Sequence, residues 1–293
     1  MALVTPLNLA AALLALVPYL AVAFFPQLAA DRVRALPAWT RFAWPAALAI
    51  PYLLVALGAD GFRWGWLALY VFLPVAVAML LGQAACADPD QHGNWRDFLV
   101  LAGLGLAVDL RWFEGAWPAH LAIFNKILLL DAGIYGFVLI RKLEGTGFDL
   151  RLRWMDVGIG LREWSCYTPI AVVLGLSLGF LHLHRVWPGV APIAGAWLFT
   201  FFFIAVPEEL FFRGWMQNLL EKRLGRYGAL FVTACLFGLA HFNKRAAHFN
   251  WRYVLLAALA GISYGRAWRA QRRVGASAVT HATVDAIWSL WFR

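Results

Sequence analysis

Ten apolar runs, separated by short polar segments, divide this 293-residue chain. Hydrophobic residues make up 62% of the sequence and charged residues 14%, whereas soluble domains are about half apolar and about a quarter charged. A water-soluble globule cannot bury so much apolar surface, so the sequence predicts an integral membrane protein. The candidate spanning runs are residues 7–25, 42–58, 64–87, 98–110, 121–140, 165–181, 190–212, 227–242, 253–268 and 275–292.

A helix needs about 20 apolar residues to cross a bilayer, and the run 98–110 is short for that purpose. The sequence therefore predicts an all-α polytopic membrane protein, a bundle of roughly 8–10 transmembrane helices. No soluble domain fits between the runs. The longest polar connection is residues 141–163.

The formal net charge of +9 is also a feature of nucleic-acid-binding proteins. Here, however, the basic residues gather between apolar runs, as they do in the cytoplasmic loops of membrane proteins. Their bias predicts an N-terminus outside, with segments 215–226 and 266–273 in the cytoplasm. Three residues run against this orientation: Lys244, Arg245 and Arg252. We expect no nucleic-acid partner.

The segment FFFIAVPEELFFRGW, residues 201–215, places two carboxylates and a guanidinium inside an apolar run. A charge at the bilayer centre costs about 2.5–3.5 kcal/mol. Glu209 and Arg213 are four residues apart and share a helix face, while Glu208 lies about 100° away around the helix. Arg213 can hold one carboxylate ionised while the other titrates, which is the pattern of a general base. The same spacing also fits a structural Glu–Arg clamp.

Two further polar groups follow on separate apolar runs. The sequence FGLAHF places His241 four residues after Phe237, and THATVDAIW places Asp285 four residues after His281. A histidine in such a position also fits a hydrogen-bonded core residue, and the second pair also fits a packing contact. Glu209 and His241 are equally far in sequence from Gly225, so two antiparallel helices meeting there bring them to the same depth.

The ordered motifs EExxxR, FxxxH and HxxxD resemble those of the CAAX-protease and bacteriocin-processing (CPBP, or ABI) family of intramembrane proteases. The resemblance covers residues 164–293 and implies a catalytic transmembrane core there, with residues 1–163 as accessory helices. It implies that Glu208 activates water with help from His241. Glu209 and Arg213 then support the site, and His281 and Asp285 face the oxyanion or hold the water.

One position departs from the family pattern, because many members have Asn where this chain has Asp285. An amide donates a hydrogen bond to an oxyanion, whereas an ionised carboxylate cannot. Asp285 therefore orients His281, donates when protonated, or binds a metal. Glu208, His241, His281 and Asp285 together suit zinc, but the HExxH spacing is missing. We favour a metal-free glutamate protease, with zinc as the candidate cofactor otherwise.

The resemblance implies an intramembrane endopeptidase that cuts a membrane-associated peptide or protein near its C-terminus. Prenylated tails, leader peptides and C-terminal sorting tails are all substrates within the family. The Ala-, Trp- and Arg-rich composition suits a high-GC bacterium, so we expect the bacterial cytoplasmic membrane. Two other readings stay open: a transporter that uses the intramembrane Glu and His groups as a proton or ion relay, and a non-proteolytic scaffold of the same family.

Overall fold

The computed structural model describes residues 5–58, 61–184, 186–244 and 248–292. Arg245, named above for its charge, lies outside the described residues. The described residues form helices joined by turns and loops, with one isolated β-bridge between Leu183 and Phe292. The predicted fold class, an all-α polytopic membrane protein, is confirmed.

The helices follow the predicted apolar runs, except for α2, which lies between the first two runs and was not predicted. They are α1 (Pro6–Phe24), α2 (Pro26–Ala35), α3 (Ala38–Gly58), α4 (Trp64–Ala87), α5 (Trp95–Asp109), α6 (Ala119–Ile140), α7 (Trp154–Ser177), α8 (residues 190–224), α9 (residues 226–239), α10 (Trp251–Gln271) and α11 (Val274–Trp291). Helices α8 and α9 form one helical run, Val190–Leu239, which Gly225 interrupts with φ 69° and ψ 174°. Five runs among the described residues are long and apolar enough to cross a membrane: α1, α3, α4, α6 and Val190–Leu239.

Part of the segment predicted as a polar connection, residues 141–163, is helical. Helix α7 begins at Trp154, where the backbone N–H of Arg153 donates to Oδ2 of Asp156 over 2.9 Å. A carboxylate in the first turn accepts from an otherwise unpaired N–H and complements the helix dipole. The polar residues from Asp156 to Glu163, predicted as loop, therefore belong to the first turns of a long helix.

The chain divides into two compact units, Met1–Glu144 and Gly145–Arg293. In the first unit, α1 packs against α3 and α6, and α4 packs against α3, α5 and α6. The buried Arg141 fastens this unit through Asp88 at 2.7 Å and Asp97 at 3.1 Å. The functional division predicted at residues 163/164 stays a prediction.

The second unit is built around α11, which packs against α7, α8 and α10. Helices α8 and α9 form the antiparallel pair expected around Gly225. The rings of Phe212 and Phe237, at nearly equal sequence distances on either side of that glycine, have centroids 5.0 Å apart. The polar motifs on α8 and at the end of α9 are thereby brought to similar depth.

Helix α11 begins beside Gly214 of α8 rather than at the Gly225 turn, and the loop 145–153 covers its beginning. Gly147, at φ 68°, lies so close to the turn that a Cβ there would meet the Arg272 carbonyl oxygen at 2.0 Å, and its own carbonyl accepts from the Val274 N–H over 2.9 Å. A Cβ on Gly214, midway along α8, would lie 3.5 Å from the Val274 side chain. A residue two turns into α11 therefore reaches the level of the α8 carboxylates.

Candidate active site

Glu209 organises the centre of the site. It is fully buried, and its Oε2 accepts from Arg213 Nε over 3.0 Å and contacts the Ser277 hydroxyl. Its Oε1 accepts from His281 Nδ1 over 2.8 Å. With a guanidinium, a hydroxyl and an imidazole around it, this carboxylate ties α8 to α11.

Glu208, the neighbouring carboxylate, has a different environment. Its side chain is 28% exposed. Lys244 Nζ lies 4.0 Å from its Oε1, and His281 Nε2 lies 4.0 Å from its Oε2. Both separations exceed a direct hydrogen bond and are short enough for a water molecule to bridge. Of the adjacent pair, Glu208 is therefore the carboxylate that water can reach.

His281 stands between carboxylates on both sides of its ring. Its Nδ1 faces Glu209, and its Nε2 lies 3.4 Å from Asp285 Oδ2. The Tyr264 ring stacks on the imidazole with centroids 4.5 Å apart and planes 14° apart. Ser277, His281 and Asp285 are spaced four residues apart, so one face of α11 supplies all three.

His241 follows the end of α9, on the other side of the Phe237 ring. The two histidine rings lie 4.9 Å and 5.7 Å from that ring, centroid to centroid. His241 Nδ1 lies 2.8 Å from the Phe237 carbonyl oxygen. A carbonyl only accepts, so Nδ1 carries the proton and the neutral ring keeps a lone pair on Nε2. His241 can accept a proton at that nitrogen.

Arg213 is fully buried on the inner face of α8. Its guanidinium carbon lies 5.2 Å from the Phe237 ring centroid, and neither terminal nitrogen has a hydrogen-bond acceptor among the described residues. A buried guanidinium with unpaired N–H groups is costly. The Glu209 carboxylate offsets part of that cost, and the remaining N–H groups can hydrogen-bond water or a developing negative charge.

A cavity of about 80 Å³ lies against the two histidines and Asp285. Since one water needs about 10–15 Å³, it holds several. Aromatic and aliphatic side chains from α7, α10, α11 and the segment after α7 form most of its wall, among them Trp164, Tyr167, Phe180, Tyr253 and Trp288. The site thus combines room for water with an apolar wall suited to the side chains of a bound peptide.

The helix that carries the glutamates is locally widened. Residues 201–205 and 210–217 form π-helical turns on either side of Val206–Glu209. Pro207 has no N–H and its ring clashes with the carbonyl four residues earlier, so the preceding turn widens, as is common near functional sites. The proline in the sequence was the available signal for this irregularity.

Five of the predicted site residues form one contact network: Glu208, Glu209, Arg213, His281 and Asp285. The sixth, His241, contacts Phe237, whose ring also contacts His281. The sequence analysis missed Ser277, Lys244 and Tyr264. Ser277 lies one helical turn before His281, and that spacing was a usable signal. Lys244 lies in the segment after α9, whose course the sequence does not define.

The candidate zinc ligands do not gather as a metal-binding group. Among the described residues, no three His, Cys, Asp or Glu side chains are placed to hold one ion. The Phe237 ring packs against the imidazoles of both His241 and His281. The arrangement therefore does not fit the predicted ligand set, and no step below is routed through a metal.

The fold and this site define a polytopic helical membrane protein with a buried carboxylate–imidazole centre. A family model described as "Type II CAAX prenyl endopeptidase Rce1-like" matches residues 190–287, which include all three motifs. The resemblance to CPBP proteases is confirmed, and the match supports a CAAX-type intramembrane protease acting on membrane-associated substrates. No curated protein and no solved structure gives a significant match.

Proposed function

We propose that this protein is an intramembrane endopeptidase in which Glu208 activates the water that attacks a peptide bond. The observation that carries the proposal is the position of Glu208 Oε2, 4.0 Å from His281 Nε2. Oε2 itself is buried, and a small movement of the partly exposed side chain would admit a water about 2.8 Å from each atom. Glu208 is partly exposed, whereas Glu209 is fully buried and saturated with donors.

In the first step, the water oxygen bonds to the peptide carbonyl carbon and its proton passes to Glu208. The negative charge moves to the carbonyl oxygen, where buried donors stabilise it most strongly because water is largely excluded. Arg213 and His281 supply N–H groups in this region. In this proposal His281 is an imidazolium held between two carboxylates. Its Nδ1–H donates a hydrogen bond to Glu209, and its Nε2–H faces the water and Asp285.

In the second step, the carbon–nitrogen bond breaks and the leaving amine takes a proton from Glu208, so that the carboxylate is regenerated. His241, with its lone pair on Nε2, accepts or relays a proton between water and the leaving group. The products are a new carboxyl terminus and a free amine. No group other than water is consumed.

We propose that the substrate is a membrane-associated peptide or protein cut near its C-terminus, in a bacterial cytoplasmic membrane. The family match and the apolar cavity wall support such a substrate. Reporter proteins with one membrane anchor and different C-terminal tails, co-expressed with the enzyme, identify the accepted tail by a mass shift. Comparing tails with and without a prenylation site shows whether the enzyme requires a prenylated substrate.

The decisive experiment replaces Glu208 by Gln and His241 and His281 by Ala, one at a time. Each variant should insert in the membrane normally and fail to cleave the reporter. Glu114→Gln, which removes an exposed carboxylate from the first unit, is the matched control and should cleave normally. Cleavage that survives in all three site variants overturns the proposal. Metal analysis of the active enzyme tests the zinc alternative, since stoichiometric zinc would overturn the metal-free reading.

A further inference from the structure

Five basic side chains gather far from the catalytic centre, where the Gly225 turn meets the end of α10. Three flank Gly225 in sequence, one lies in the last turn of α10 and one directly follows that helix. Together they form what we call the basic cluster: Lys222, Arg223, Arg226, Arg269 and Arg272. One carboxylate, Glu221, lies among them and contacts Arg269 and Arg272. The cluster therefore has a large excess of positive charge in a small volume.

Arg269 is the buried member of the cluster. Its side chain is 7% exposed. One terminal nitrogen donates to the Arg226 carbonyl oxygen over 3.1 Å, but its Nε is buried without a hydrogen-bond partner among the described residues. The Glu221 oxygen nearest to it is 4.0 Å away. Because this Nε is closed to solvent, the charge of Arg269 is incompletely compensated, which favours an anion at the accessible guanidinium groups beside it.

The exposed ring of Tyr227 brings two of these charges together. The guanidinium carbons of Arg226 and Arg269 lie 5.8 Å and 5.5 Å from its centroid. Each cation gains from the ring face, but the two charges repel each other. An anion between them removes that repulsion, and a phosphate is suited to the task because its oxygens accept from several guanidinium N–H groups at once.

An apolar surface begins beside the cluster and continues along α9. Leu224, Tyr227 and Phe231 are 50%, 74% and 67% exposed, and the last two share a helix face. This helix belongs to a run that is apolar enough to cross a membrane, so we expect the surface to face lipid chains. A free phosphate would use the cations alone, whereas a phospholipid would use both the cations and this surface.

We propose that the basic cluster binds the headgroup phosphate of an anionic phospholipid whose acyl chain lies along Tyr227 and Phe231. The lipid anchors the turned end of the α8–α9 pair, in which Glu208 lies farther along α8 and His241 follows the end of α9. This binding site is separate from the peptidase site. Its test does not depend on cleavage, so the two proposals can fail independently.

The test measures lipid binding to the purified full-length chain by native mass spectrometry. Phosphatidylglycerol and phosphatidylcholine are titrated against wild type and the double variant Arg226→Gln/Arg272→Gln. We expect wild type to prefer phosphatidylglycerol and the variant to lose affinity for it by about 30-fold, given the usual contribution of a basic residue to binding of anionic lipid. Excess inorganic phosphate should not displace the lipid.

A double variant with the same loss of charge elsewhere, Arg96→Gln/Arg252→Gln, is the matched control and should bind as wild type does. An equal loss in this control would show a dependence on net charge alone and overturn the proposal, as would an absence of lipid preference in wild type. Displacement by inorganic phosphate would identify a free-anion site instead. If the test variant does not fold, the exposed Arg272→Gln alone gives the same comparison.

Discussion

Substituting the two adjacent glutamates one at a time should distinguish a residue that stabilises the fold from one that acts in catalysis. Glu209→Gln removes a charge that contacts Arg213 and His281 inside the protein, whereas Glu208→Gln removes a charge at the partly exposed edge of the site. Both substitutions keep the size and shape of the side chain. They differ in what the lost charge was holding in place, so we expect both to impair cleavage and only Glu209→Gln to lower stability clearly.

The magnitudes follow from burial and distance. Breaking a buried ion pair by removing one partner costs about 3–5 kcal/mol, and we expect the lower end for Glu209→Gln because the amide oxygen still accepts one hydrogen bond. The ion contacts of Glu208 are 4.0 Å long and partly exposed, so Glu208→Gln should cost less than about 1 kcal/mol. Cleavage, in contrast, should fall by about 10²–10⁴ in Glu208→Gln, which loses its general base.

The assay is denaturant unfolding of the purified protein in mild detergent, followed by circular dichroism, beside single-turnover cleavage of the reporter. Glu209→Gln should unfold at clearly lower denaturant and lose activity because His281 is no longer oriented. Glu208→Gln should unfold as wild type does and be inactive. Equal destabilisation by the two substitutions would refute the division of roles, as would full activity in Glu208→Gln.

Three further predictions concern the turn, the α11 carboxylate and the loop before α7. Gly225→Ala should destabilise the protein by about 1–3 kcal/mol, because the backbone conformation at this residue is nearly restricted to glycine. The control Gly158→Ala, on an open helix face, should be neutral or stabilise the protein by up to about 1 kcal/mol. Thermal unfolding compares the two variants with wild type. Asp285→Asn should keep kcat/KM near wild type because an amide oxygen still accepts from His281, while Asp285→Ala should lower it by up to about tenfold through the lost hydrogen bond. Partial burial alone would raise the pKa of Asp149, but hydrogen bonds from Arg151 and Arg273 outweigh it and lower the pKa to about 2. The stabilisation from Asp149, about 2 kcal/mol, is therefore complete above pH 4 and lost as pH falls towards 2, and the difference in unfolding free energy between wild type and Asp149→Asn should shrink over that range.

Much of the fold could be predicted because a lipid environment leaves the chain few choices. Backbone groups inside a bilayer must be paired within the segment, so long apolar runs become helices. The α8–α9 pair followed from Gly225 and the matched positions of two polar motifs. The depth of α11 could not be predicted, because it is set by the contact between Gly147 and Arg272, which are remote in sequence.

The site could be predicted as far as residues share a helix. The spacing of Glu209 and Arg213 indicated their contact, and that of His281 and Asp285 placed both on one face of α11. Contacts between helices were less accessible. Nothing in the spacing indicates that Glu209, rather than Glu208, accepts from His281, and Lys244 reaches Glu208 from a turn whose path depends on packing. The catalytic roles of these residues stay predictions until cleavage is measured.

The geometry of an α-helix explains why two neighbouring glutamates are needed. Successive residues are rotated by about 100°, so a pair of adjacent side chains cannot occupy the same environment. Glu209 is turned inward, and its oxygens are already engaged by Arg213, Ser277 and His281. A carboxylate surrounded by fixed donors is a weak base, because every hydrogen bond it accepts favours the charged form. The base that takes a proton from water must therefore be a second carboxylate, and Glu208 is the neighbour that the helix turns towards the partly exposed side.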